Sequence, residues 1–312
     1  AVLKIEDTSQ DKEIVSVYGL AEKGDYIRPR AEVIACGALV LQRGVLIRAY
    51  EIALMATIGI AQIPVFRRPR VAILSTGDEL VELHEPKGAH QIYNSNGYGL
   101  SAQVAEAGGI PVALGIAKDT RDDLTHKLKT AADVDFIVIS GGVSVGDYDF
   151  VKEVIADLGG TMKFWKVAMK PGKPLAFGSI SIAVKGETTK VPVFGLPGNP
   201  VSAMVTFDQF VRPALLYAQG SSSLFRPTIY ATLTANVQKE KGGTASARRC
   251  HFVRGTLTIE DGGYKVTPTG DQDSSNIVSL VKANAFIVLP CGEGDVAAGS
   301  QVAVQIMANS PI

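Results

Sequence analysis

Cysteine is scarce. The 312-residue sequence has three, Cys36, Cys250 and Cys291, an odd number spread far apart. That argues against a disulfide framework and for free thiols in a reduced cytoplasm. The four histidines are scattered and show no zinc-ligand spacing. Charge of one sign is not in excess: Lys+Arg and Asp+Glu both total 31, and the formal net charge is zero. Electrostatics therefore give no reason to expect nucleic acid or an anionic membrane as partner. No apolar run approaches the ~20 residues of a membrane span, and no signal peptide is visible. An initiator Met is also lacking. "AVLKIEDT" reads as a strand already under way, so an N-terminal part is expected to precede Ala1.

What is present is an ordinary soluble composition, 46% hydrophobic and 20% charged, at a length that suits two or three domains. Three zones differ in pattern. Residues 1–68 carry short β-like runs ("AVLKIE", "EIVSVYGL", "GALVLQRGVLI") broken by Gly and charged turns, then a helical stretch, "AYEIALMATIG". "FRRPR" is a polar connector. In residues 69–219 strand-length apolar runs ("VAIL", "PVALGI", "FIVIS", "VFGL") alternate with amphipathic helical stretches, the signature of βαβ units on a parallel sheet. The last of these helices is well marked, with Asn199 as N-cap, Pro200 in the first turn, and an apolar stripe through Val201, Met204, Val205, Val211 and Leu215. In residues 220–312 short strands return. "TIYATLTANV" alternates with period two, and "HFVRGTLTI", "GYKVTPTG", "AFIVLP" and "QVAVQIM" complete a small β-barrel or sandwich.

Ligands of open α/β sheets bind beyond the carboxyl ends of the strands. The loops that leave those ends here are Ser75-Thr76-Gly77-Asp78-Glu79, Ala117-Lys118-Asp119, "SGGVSVGDYD" (Ser140 to Asp149) and Pro197-Gly198-Asn199-Pro200. Gly141 and Gly142 let the backbone approach an anion, and a helix start follows. Carboxylates beside a phosphate-type site suit Mg²⁺, which takes one or two of them with waters and substrate oxygens. "FWKVAMKPGKP" adds Lys166, Lys170 and Lys173; on one strand Lys166 and Lys170 would share a face and serve an oxyanion. Each residue alone has a plainer reading. Asp78, Glu79 and Asp119 suit helix starts, the lysines a solvated edge, and Arg249, His251 and Arg254 a polar face of the β domain. Convergence on one sheet edge favours a site.

The motifs "STGDEL", "SGGVSVGDYD", "KVAMKPGKP" and "FGLPGNPVSA" resemble, in this order, the molybdopterin molybdenumtransferase family, the MoeA proteins and the E domain of gephyrin. "TGDQDSSNIVSLVKANAFIVLP" is similar to that family's C-terminal β domain. The resemblance implies a central three-layer α/β domain with a mostly parallel sheet, shared with the molybdopterin adenylyltransferases, between a partial N-terminal β domain and a C-terminal barrel-like domain. It implies Mg²⁺-dependent insertion of molybdate into adenylylated molybdopterin with release of AMP, in a cytoplasmic homodimer, with the adenylyltransferase as a further partner. Carried over motif by motif, Glu79, Asp119 and Asp149 would serve metal and phosphates. Lys166 and Lys170 would face molybdate and the pterin phosphate, with Lys173 nearby. Ser75, Thr76, Gly77, Gly141, Gly142 and Ser144 would line the substrate, and Pro197, Asn199 and Pro200 would shape the wall.

The chain departs from the family's pattern at two places. Ala31-Glu32-Val33 stands where Gly-Glu-Asp is common, and Asn94-Ser95-Asn96-Gly97 where Asp-Ser-Asn-Arg is common. Two other readings therefore stay open: a molybdopterin adenylyltransferase-like enzyme, and a catalytically impaired paralogue that acts as a binding or scaffold protein.

Overall fold

The computed structural model describes every residue except 143–149, 185–186, 240–247, 261, 293 and 308–312. It divides into two compact units, Ala1–Ile60 and Ala61–Ile312. The first holds a 3₁₀ turn (Ile5–Asp7), an antiparallel hairpin of β1 (Thr8–Asp11) and β2 (Ile14–Val17), and helix α1 (Ala49–Thr57). The helix starts where the Glu51 carboxylate accepts from the Arg48 backbone N–H at 2.9 Å, joining the guanidinium to the first turn. Two expected strands are absent. "AVLKIE" carries the 3₁₀ turn, and "GALVLQRGVLI" holds no regular element. Leu39 and Leu46 stay 77% and 75% exposed, and a strand with neither a buried face nor a partner edge is not held.

The second unit contains β3 (Arg70–Thr76), β4 (Leu80–Val81), β5 (Ile92–Tyr93), α2 (Ser95–Glu106), β6 (Ile110–Ala117), α3 (Arg121–Lys129), β7 (Phe136–Ser140), α4 (Phe150–Asp157), β8 (Thr161–Lys166), β9 (Met169–Lys170), β10 (Pro174–Val184), β11 (Glu187–Leu196) and α5 (Pro200–Thr206). A π turn (Phe207–Val211), α6 (Arg212–Ala218), β12 (Thr228–Leu233), β13 (Cys250–Glu260), β14 (Gly263–Pro268), α7 (Val278–Val281), β15 (Ala285–Leu289) and β16 (Gln301–Ile306) follow.

The first sheet runs β6-β3-β7-β11-β10-β8. β6, β3, β7 and β11 are parallel; β10 and β8 extend it antiparallel. The central strands β3 and β7 are covered on both faces, so they read as near-continuous apolar runs. In β3, Ala72 and Leu74 face one core with Leu124 of α3 and Val154 of α4, while Val71 and Ile73 face the other with Leu100 of α2 and Leu215 of α6. The result is the expected three-layer α/β arrangement, with helices on each side of a mostly parallel sheet.

The C-terminal strands run β14-β12-β16-β15-β13, and a β13–β14 pairing closes them into a five-stranded barrel around Ala231, Leu257, Val266, Ile287 and Val304. β9 hydrogen-bonds with this sheet and not with the α/β sheet: Met169 and Lys170 pair in parallel with Cys250 and His251. A buried ion pair, Arg226 to Asp208 at 2.6 Å, and a Gln209–Gln305 hydrogen bond at 2.9 Å tie the π turn to the barrel side.

Candidate active site

The carboxyl ends of β3, β7 and β11 open into a cleft of about 790 Å³, within the range of small-molecule sites. Its opposite wall is the barrel loop Gln272–Ser275 with Arg249. Ser75, Thr76, Gly77, Glu79, Asp119, Gly141, Gly142, Lys170, Lys173, Pro197, Asn199 and Pro200 all line it.

The glycine pair is required by space. Gly141 (φ 94°) and Gly142 (φ 65°) are left-handed. A Cβ at Gly141 would lie 2.5 Å from the Thr76 carbonyl oxygen, and one at Gly142 would lie 2.9 Å from Thr76 Oγ1. β7 can thus end against β3 only without side chains here. The Gly141 N–H donates to Leu196 O at 3.0 Å, so it is committed within the sheet rather than aimed at an anion. The Thr76 hydroxyl is buried and has no hydrogen-bond partner among the described residues.

Two side-chain networks brace the floor. Asn94, 4% exposed, caps α2 by accepting from Gly97 N at 3.0 Å; it accepts from Ser75 Oγ at 2.7 Å and donates to Glu82 at 3.1 Å. Asn96 donates to Ser140 Oγ at 2.8 Å and to Gly198 O at 2.7 Å, joining α2 to the ends of β7 and β11. On the barrel side Asn199 Nδ2 donates to Ser274 Oγ at 2.8 Å, and Val201 N donates to Ser274 O at 3.1 Å. The loop carrying Ser274 is held from beneath by the buried Arg254, which donates to Asp273 O at 3.0 Å and to Ser279 Oγ at 2.9 Å.

The acids sit at one end. Asp119 N donates to Asp78 Oδ1 at 3.1 Å. The Asp119 carboxyl is held above the usual carboxylate range, first by burial and then by the charges of Asp78 and Glu79. Across the cleft the Asp273 carboxylate is held below that range, chiefly by the Ser275 hydroxyl and N–H, with the charges of Arg254 and then Lys170 adding to it. Among the described residues no group of three His, Cys, Asp or Glu gathers as a metal cluster. Glu79 and Asp119 still fit a hard divalent cation, because a pair of crowded carboxylates is what Mg²⁺ commonly takes alongside water and phosphate oxygens.

The lysines divide. Lys166 and Lys170 do not lie on one strand, because β8 ends at Lys166 and β9 begins at Met169 in a different sheet. Their four-residue spacing therefore carries no shared face. Lys170 and Lys173 line the cleft, whereas Lys166 is exposed at the end of an edge strand and outside the lining. Ser144 and Asp149 lie outside the described residues.

Residues 72–217 match the family model described as a probable molybdopterin binding domain, and residues 239–307 that of the MoeA C-terminal region (domain IV). The molybdopterin biosynthesis MoeA protein from Pyrococcus horikosii, known as a crystal structure, superposes with a TM-score of 0.76 at 29% identity, over 98% of this chain and 71% of that one. A molybdopterin molybdenumtransferase of a Nostoc species is 36% identical over 306 residues, 97% of this chain and 68% of that protein. The Bacillus subtilis enzyme of that name is 34% identical over 312 residues, 98% of this chain and 69% of that protein. The chain belongs to the molybdopterin molybdenumtransferase family.

It is a transferase of molybdenum cofactor biosynthesis. Within the molybdopterin molybdenumtransferase pattern, the Asn94 departure falls on a buried capping residue, and Val33 falls on a 75% exposed position of the first unit. Sequence reasoning did not single out Ser140, Asn96 as a brace, or the cleft-lining role of Arg249, Asp273 and Ser274. The Asp-Ser cluster of "TGDQDSSN" was the available signal for the last two. No helix among the described residues is long and apolar enough to cross a membrane.

Proposed function

We propose that this chain inserts molybdate into adenylylated molybdopterin with release of AMP, in a Mg²⁺-dependent reaction. One observation carries the reading: the crowded carboxylates Glu79 and Asp119 and the cations Lys170 and Lys173 line the same cleft beside the side-chain-free Gly141–Gly142 turn. In this reading Glu79 and Asp119 hold the cation, which when bound neutralises phosphate charge during anhydride cleavage. Lys170 and Lys173 gather the dianionic oxyanion and the pterin phosphate as preorganised charges. Gly141 and Gly142 let the ligand lie close to the strand ends. Pro197, Asn199 and Pro200 form the wall that Ser274 fixes. Asp149, Ser144 and Lys166 belong to the proposal through the family motifs alone.

The proposal extends to a homodimer, to contact with a molybdopterin adenylyltransferase, and to division at residues 68 and 219. The test is molybdate-dependent AMP release from adenylylated molybdopterin, measured with and without Mg²⁺. Release that needs both supports the reading. Release of AMP without molybdate refutes it, as does formation of the adenylylated compound from ATP, which would favour the adenylyltransferase.

A further inference from the structure

Apart from four prolines, the cleft is lined mostly by polar groups, charged groups and glycines, but the β4–β5 ribbon is different. The ribbon formed by β4 and β5 pairs Leu80 with Ile92 and Val81 with Tyr93. Leu80, Ile92 and Tyr93 line the cleft there. Ile92 is 56% exposed and Tyr93 is 42% exposed. These residues sit a few positions from Glu79, and Ile92 N donates to Glu79 O at 2.8 Å, so the apolar end and the acidic end share one backbone bridge. The ribbon is held at its other edge as well, where Asn94 N donates to Val81 O at 2.9 Å. Lys87 Nζ lies 5.9 Å from the centroid of the Tyr93 ring, a cation on an aromatic face that restrains the ring.

An exposed aliphatic side chain and an aromatic ring, fixed on a braced ribbon at the mouth of a polar cleft, suit a flat, π-rich ligand part better than a phosphate or an oxyanion. We infer that Tyr93 forms the platform on which the heterocycle of the ligand stacks, with Leu80 and Ile92 as its apolar neighbours along the cleft. The ligand is thereby oriented: ring system at the ribbon, phosphates past Glu79 and Asp119 toward Lys170. This rests on the function proposed above and adds residues to it. Two heterocycles of the proposed substrate share the required chemistry, the adenine and the pterin, and the experiment separates them.

Binding of AMP, of ribose 5-phosphate and of a 6-substituted pterin is measured by calorimetry on the full chain and on Tyr93→Ala and Tyr93→Phe. Ribose 5-phosphate keeps the phosphate and lacks the ring. Stacking predicts that Tyr93→Ala weakens one heterocyclic ligand by about tenfold, leaves ribose 5-phosphate unchanged, and that Tyr93→Phe behaves as the parent. Loss with AMP assigns the platform to adenine, and loss with the pterin assigns it to the pterin. Unchanged affinity for both ligands overturns the inference, as does equal loss for ribose 5-phosphate. A changed sedimentation coefficient with ligand affinities intact also overturns it and makes Tyr93 an interface residue. Failure of the proposed reaction reads differently: the parent chain then releases no molybdate-dependent AMP, whatever Tyr93 does to binding.

Discussion

Replacing Gly141 by Ala tests how closely β7 and β3 converge at the cleft. Two costs are expected. Gly141 has a φ of 94°, and an L-residue held left-handed loses roughly 1–2 kcal/mol. The new Cβ would also lie 2.5 Å from the Thr76 carbonyl oxygen and 2.8 Å from Thr76 Oγ1. The first of these is backbone, which no rotamer change can move, so the strand ends must separate. Overpacking of this kind costs about 1–3 kcal/mol. Gly262 supplies the control: its φ is 75° and a Cβ there meets nothing within 4 Å. Gly262→Ala carries the backbone cost without the collision, and the effect on the unfolded chain is the same for both. For a unit of this size each kcal/mol is about 2–4 °C of melting temperature. Gly141→Ala should therefore melt about 2–12 °C below Gly262→Ala in scanning calorimetry, and it should lose AMP-release activity that Gly262→Ala keeps. Equal melting temperatures for the two variants would refute the close approach and return Gly141 to the role of an ordinary turn residue.

Lys170→Ala should raise the molybdate KM by roughly tenfold or more, the worth of a charge-assisted contact, while Lys166→Ala changes it less than threefold; steady-state kinetics showing equal effects would mean that Lys166 reaches the ligand after all. Asp119→Asn should abolish turnover yet raise the melting temperature at pH 7. The sign follows from the raised pKa of Asp119: the folded state holds that proton more tightly than the unfolded chain, so ionisation at neutral pH opposes folding. Melting curves should show the gain shrinking as the pH falls toward the unfolded-chain value, about 3.9, and a gain that persists below it contradicts the crowding by Asp78 and Glu79.

The sequence was most readable where local pattern and tertiary role agree. β3, β6 and β7 are short apolar runs with turn residues after each, and α2, α3 and α5 carry capping residues at their starts: Asn94 and Thr120 accept side-chain caps, and Pro200 opens α5. β10 went unread because it enters the sheet antiparallel through a hairpin with β11, with no crossover helix to announce it. "GALVLQRGVLI" misled because apolar spacing alone does not supply a strand partner. In the site, the residues at strand ends were legible from their loops. Ser140 and Asn96 were not, since their partnership spans 44 positions and appears only once α2 packs over the sheet. The shared face expected of Lys166 and Lys170 failed through a specific assumption, that the chain stays in one strand between them.

The β9 exchange bears on how this protein can be taken apart. Met169 and Lys170 are covalently part of the α/β domain, yet they hydrogen-bond as the sixth strand of the barrel's sheet. A truncation after residue 219 would strip the partner from β9 and remove Ser274 from Asn199 at the same stroke. Swapping barrels between relatives would likewise change the seat of Lys170 even with every α/β residue untouched. The two domains are modular as cores and share the walls of one cleft, so inheritance of the cleft requires that they vary together.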